Sequence, residues 1–125
     1  MNVILHVFLA VLAAAVAAGP SLAQEPSGDW QSRLTQAELR GEPAAALAEL
    51  NRAIDSDPSN AHMLATRARY LDARRHPSAR AAYERALSAQ GLAAAERERI
   101  LRRLAALDLI EGDRASAGRR LSQLP

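Results

Sequence analysis

An all-α fold of paired helices is the class that this 125-residue sequence predicts. Three observations carry that expectation. Apolar residues recur at helical spacing in several separate stretches, turn-forming residues punctuate the chain at near-regular intervals, and nothing after residue 23 alternates apolar and polar as a strand does. Composition agrees. Hydrophobic residues make up 49% of the chain but aromatics only 3%, so the apolar content is mainly Ala and Leu, the strongest apolar helix formers.

The first 23 residues carry no charged side chain. Residues 3–18 form an apolar run interrupted by His6, Gly19-Pro20 breaks it, and Ser21-Leu22-Ala23 follows. The run falls short of the roughly 20 residues that span a bilayer, and small residues at 21 and 23 suit a signal peptidase cutting before Gln24. Residues 1–23 therefore read as a signal peptide, and the periplasm is the expected location. No Lys or Arg precedes the run, which keeps an uncleaved inner-membrane anchor as the alternative. The chain has no cysteine, so a lipid anchor, a disulfide framework, a thiolate metal site and a cysteine nucleophile are all excluded.

All 16 basic residues are Arg and none is Lys; with abundant Ala, a GC-rich bacterial genome is the expected source. The 14 acids and the 16 arginines all follow residue 23, for a net charge of +2. Their signs alternate, as in Glu96-Arg97-Glu98-Arg99, which describes a solvated helix surface rather than a polyanion-binding stripe. Nucleic acid is not an expected partner.

Residues 24–28, with Pro26 and Gly28, read as a linker, and 29–125 as one helical domain. Turns are expected at Gly41-Glu42-Pro43, around Pro58, at Arg75-His76-Pro77, at Gly91 and at Glu111-Gly112-Asp113. Five turns imply six helices. Pro43 suits a first helical position, and Asp113 suits an N-cap. Between the turns, Ala46, Leu47, Leu50, Ala53 and Ile54 form one apolar stripe, and Ala79, Ala82, Tyr83, Ala86 and Leu87 form another. Ile100, Leu101, Leu104, Ala105 and Leu107 build a third.

The segments share one ruler. Trp30, Leu34, Ala37 and Gly41 are spaced 4, 3, 4, as are Leu64, Ala68, Leu71 and Arg75, and again Leu101, Ala105, Asp108 and Gly112. In the following helices Ala46, Leu50 and Ala53 match Ala79, Tyr83 and Ala86, and Ala117, Leu121 and Leu124. Trp30 lies 34 residues before Leu64, and Leu64 lies 37 before Leu101, the excess falling around residues 91–97.

On these residues the chain resembles the tetratricopeptide repeat (TPR) family, whose unit is a 34-residue helix–turn–helix. Trp30, Ala46, Ala53, Pro58, Ala68, Ala79, Tyr83 and Ala86 carry the likeness. Leu34, Arg75, Asp108 and Gly91 depart from it: the family favours a small residue, a Gly, an aromatic and a Pro there. The same spacings fit an Ala/Leu-rich helical bundle; recurrence of the turn positions favours the repeat. The resemblance implies about three units in a short right-handed α-solenoid, Tyr83 buried between the first two units beside Ala53 and Ala79, and a polar outer face on the last helix from Arg119, Arg120, Ser122 and Gln123.

It also implies a concave groove lined by the first helix of each unit. Carried over by position, the groove residues are Gln31, Thr35 and Glu38, then His62, Ala65, Arg69 and Asp72, then Arg99, Arg102 and Ala106. Arg69, Arg99 and Arg102 are expected to converge and to bond an acidic side chain or a free C-terminus of a protein or peptide segment.

No residue pattern points to an enzyme. His62 and His76 sit beside turns with no second metal ligand at i+3 or i+4, no glycine-rich loop follows a strand, and no nucleophile elbow occurs. No catalytic residue, metal or cofactor is expected. The expected role is a non-catalytic adaptor or scaffold of the cell envelope; the alternative is a structural helical domain that oligomerises or packs on a larger membrane complex. Export is checked by N-terminal sequencing of the envelope fraction, which should read from Gln24; intact residues 1–23 in the membrane pellet would establish the anchored form.

Overall fold

In the computed structural model the described residues are 26–125, with side chains from residue 29. The expected signal peptide lies outside them. Six helices follow in order: α1 Pro26–Leu39, α2 Pro43–Ser56, α3 Ala61–Ala73, α4 Ala79–Ser88, α5 Ala94–Ile110 and α6 Arg114–Leu121. Among the described residues there is no strand. Helix α1 begins at Pro26 and so takes in the last three residues of the segment read as a linker. No described helix is long and apolar enough to cross a membrane.

Local chemistry explains most of the boundaries. Pro43 opens α2, where its missing N–H is not needed. Asn60 caps α3, its side chain accepting from the Met63 amide at 3.1 Å. Asp113 caps α6 as expected, accepting from the Ser116 amide at 2.9 Å; the Ser116 hydroxyl, which also donates to it, and then this amide bond hold its carboxyl below the usual carboxylate range.

The helices associate most closely as α1 with α2, α3 with α4, and α5 with α6. The turns closing these pairs are the same structure three times. Gly41, Arg75 and Gly112 all have positive φ, at 69°, 53° and 82°. In each turn this residue donates to the carbonyl three back, and its successor donates to the carbonyl five back. The pairs are Gly41 to Glu38 and Glu42 to Ala37, Arg75 to Asp72 and His76 to Leu71, and Gly112 to Leu109 and Asp113 to Asp108. This is the Schellman arrangement. The 4, 3, 4 ruler of the sequence thus ends on the left-handed residue of each turn, and the position before it supplies the carbonyl that closes the turn.

Small residues occupy the crossings. Ala46, Ala53, Ala68, Ala79, Ala86, Ala105 and Ala117 are all buried, and Leu50, Met63, Ile100, Leu101 and Leu104 fill the space between them. Helix α3 is at the centre and buries residues on several sides, including Ala65. Ala65 is therefore core and not groove lining.

Two further expectations are corrected. Tyr83 is buried, but its neighbours lie on α3 and α5, between the second and third pairs. The seat between the first two pairs is taken by Tyr70, whose hydroxyl donates to the Pro43 carbonyl at 2.9 Å while the Arg74 guanidinium covers its ring at 3.5 Å. Arg120 does not cover the outer face of α6; it turns inward to Asp108 and Glu84, and Leu121 is exposed.

Arg75 is the only non-glycine residue with positive φ among the described residues. An L-residue there meets its own carbonyl, at a cost of roughly 1–2 kcal/mol. Part of the gain from removing this strain is offset by the greater unfolded-state freedom of glycine. Arg75→Gly should therefore stabilise the domain by about 0.5–1 kcal/mol, read as a rise of a few degrees in Tm. Gly112→Ala should lower stability by about 1 kcal/mol through the backbone alone, because a Cβ there meets nothing within 4 Å.

Candidate functional site

The first helices of the three pairs share one flank, and side chains span the gaps between them. Gln31 on α1 donates to the His62 ring on α3 at 3.3 Å, and the His62 ring tilts against Trp30. Arg69 on α3 pairs with Glu96 on α5. Arg103 on α5 grips Asp72 on α3 through two bonds, at 2.7 and 2.8 Å. Their backbones stand farther apart than those within a pair, which leaves two clefts along the flank.

The cleft between α1 and α3 is about 330 Å³ and is lined by Leu34, Glu38, Thr66, Arg69, Tyr70 and Arg74. The cleft between α3 and α5 is about 190 Å³; Tyr83 and Ile100 form its floor, and Arg69, Glu96, Arg99 and Arg103 its rim. Arg69 belongs to both. The three guanidinium groups of the second cleft are paired with two carboxylates, Glu96 on the rim and Asp72 behind Arg103. Glu96 takes Arg69 and, at 3.0 Å, Arg99, while Asp72 takes Arg103 and also accepts from the Tyr83 hydroxyl at 2.8 Å. The Arg103 fork holds the Asp72 carboxyl below its usual range; burial opposes this and the Tyr83 bond adds to it. Burial, with Asp72 beside it, pushes the Tyr83 hydroxyl up, so it stays a neutral donor.

The expected groove residues divide accordingly. Glu38, Arg69 and Arg99 line the clefts. Gln31 and His62 are bonded to each other on the same flank, and Asp72 is engaged beneath Arg103. Thr35 is exposed on α1. Arg102 lines neither cleft and pairs with Glu98 of its own helix at 3.5 Å. Its expected place is taken by Arg103. The face of α5 presented to α3 carries Glu96, Arg99, Ile100 and Arg103, a rotation of part of a turn from the carried-over positions. A signal was present: Ile100 beside Leu101 widens the apolar stripe toward Arg103.

A second polar cluster joins α4, α5 and α6. Asp108, with its side chain 3% exposed, receives Arg80 on one oxygen and Arg120 on the other, the latter at 2.6 Å. Arg120 also reaches Glu84 at 2.6 Å. Burial works against ionisation of Asp108, but the bonds and charges of Arg80 and Arg120 outweigh it and hold the carboxyl below its usual range. Among the described residues no group of three His, Asp or Glu side chains converges as a metal site.

Comparison of the chain with protein-family models, with curated proteins and with solved structures finds no match in any of the three.

The lowered carboxyls make acid the solvent variable to vary. A carboxyl whose folded pKa lies below its unfolded value of about 3.9 stabilises the fold above that pH, and the contribution is lost as pH falls through the folded pKa. Asp108→Asn should therefore cost about 3 kcal/mol at pH 7 by leaving two guanidinium groups facing a neutral amide. The difference from the parent should shrink below about pH 4, where the unfolded chain takes up the proton before the folded carboxyl does. Urea denaturation at pH 7 and pH 3 checks both values.

Proposed function

We propose that the protein is a non-catalytic adaptor or scaffold of the bacterial cell envelope. In this reading the three helix pairs are TPR-like units stacked as a short right-handed solenoid, and the α1–α3–α5 flank is its concave face. The threefold recurrence of one turn geometry supports the repeat. The observation that carries the function is the cleft over Tyr83 and Ile100. Its floor takes an apolar side chain or the stem of a longer one, and its three rim arginines, balanced by Glu96 on the rim and by Asp72 behind Arg103, leave about one positive charge uncompensated. That combination fits a protein or peptide segment bearing one acidic residue or a free C-terminus. Arg69 and Arg99 share a single acceptor, Glu96, so each retains N–H donors for a ligand carboxylate.

A second reading, a structural domain that self-associates or packs on a membrane complex, is favoured by Leu109, Ile110 and Leu121, exposed large apolar residues on the third pair. Affinity capture from envelope extract separates the two. Replacing Arg69 and Arg99 together by Ala should lower the melting temperature by a few degrees, because it takes both partners from Glu96, whose side chain is 14% exposed, but should leave the helix content intact and release the captured partner, with parent binding weakened by added salt. If capture survives the double change but is lost on Leu109→Ser with Leu121→Ser, the structural reading takes its place.

A further inference from the structure

The turn joining α3 to α4 borders a third cleft, of about 260 Å³, between that turn and α5. Its wall carries three arginines from three different elements: Arg75 in the turn, Arg80 on α4 and Arg103 on α5, with His76 beside them and Asp72 and Glu111 as the acids. Arg103 gives Nε and Nη2 to Asp72 and keeps Nη1. Arg75 has no side-chain partner among the described residues. Arg80 gives Nη1 to Asp108, while its Nη2 is buried and makes no aligned hydrogen bond, although Glu111 stands 3.0 Å away. A buried donor left in this state is an uncommon feature that asks for an acceptor.

Two independent facts point the same way. One is the buried Arg80 Nη2, held only by a poorly aligned ion pair to the exposed Glu111. The other is the backbone of Arg75. The equivalent turns place glycine at this position, at Gly41 and Gly112, whereas here an arginine is held at φ 53° and its guanidinium lines the cleft. Strain of this kind is stored where a side chain is needed at that point. His76 adds a third donor: its Nδ1 accepts from the Ser78 amide at 3.1 Å, so a neutral ring carries its proton on Nε2.

We propose that this cleft binds a small phosphate-type oxyanion, held by Arg75, Arg80 and Arg103, with the Glu111 carboxylate occupying the anion's place until it is displaced. Glu111 is suited to that part because its side chain is 65% exposed and its contact with Arg80 is poorly aligned. With Glu111 swung out, the three guanidinium groups are balanced by Asp72 and by Asp108, which Arg80 shares with Arg120, so between one and two positive charges remain, and donors from three elements suit a tetrahedral oxyanion better than a planar carboxylate. The site shares Arg103 with the Tyr83–Ile100 cleft, but Arg75, Arg80 and Glu111, on which its test rests, line only this one.

The test is a titration of the isotopically labelled protein with inorganic phosphate at constant ionic strength, followed by amide NMR, with acetate as the second arm. Saturable shifts are expected at residues 75–80 and 103–111, with acetate binding more weakly. Arg75→Gly should weaken phosphate binding about fivefold, the scale of one lost charge-assisted contact, while the same variant melts higher than the parent. Glu111→Gln should tighten binding by a similar factor of about five, by removing the competing carboxylate. Unsaturable shifts spread over the arginine surface would overturn the proposal. So would acetate binding as tightly as phosphate, phosphate affinity unchanged in Arg75→Gly, or no tightening in Glu111→Gln.

Discussion

In each helix pair the carbonyl of Ala37, Leu71 or Asp108 accepts the amide of the residue just past a left-handed turn position. That six-to-one hydrogen bond fixes where the second helix starts and in which direction it leaves. Everything else follows from the close return it imposes. Two helices brought back within so few residues can pack only if the facing side chains are small, which is why Ala46, Ala79 and Ala117 are buried at the same point of the three second helices. The large apolar residues are then displaced to the seams between pairs, where Leu50, Met63, Ile100 and Leu104 form a continuous core. With close packing spent inside the pairs, the first helices are bridged mainly by side chains, and the clefts of the α1–α3–α5 flank lie in the gaps.

Much of the all-α architecture was legible in the sequence because it depends on period and punctuation. Six helices, Pro43 at a helix start, Asp113 as a cap and the buried alanines all sit where spacing alone places them. The site was less legible. A helix's rotation about its own axis cannot be read from a one-residue difference in stripe position, so Arg102 was expected where Arg103 stands. Long side chains add a second difficulty: Arg120 looks like outer surface by period, yet its reach lets it fold back to Asp108 and Glu84. Asp108 and Arg75 stood out in the sequence as departures from a repeat pattern. The structure gives each a physical setting, one as a buried ion-pair acceptor across three helices and the other as a strained cation at a cleft.

The two seams are built differently. Between the first and second pairs the joint is Trp30 against His62 and Tyr70 bonded to Pro43, so it rests on aromatic packing and neutral hydrogen bonds. Between the second and third it is carried across by Arg69–Glu96, Arg103–Asp72, Arg80–Asp108 and Arg120–Glu84. Ionic joints respond to salt and acid in a way that aromatic packing does not. An Ala-rich core with little aromatic area leaves such charge pairs a larger share of the cohesion than they hold in a protein with a thick core.

Backbone contacts run mainly from one helix to the next along the chain. Cohesion of this kind is close to one-dimensional: each pair is held by its own turn and by one or two neighbours. The central pair, flanked on both sides, has the most to lose on opening, and α6, eight residues long and docked mainly on α5, has the least. Amide hydrogens should therefore exchange in a gradient, slowest in α3 and fastest in α6, with the third pair opening as a local unit before the whole domain unfolds.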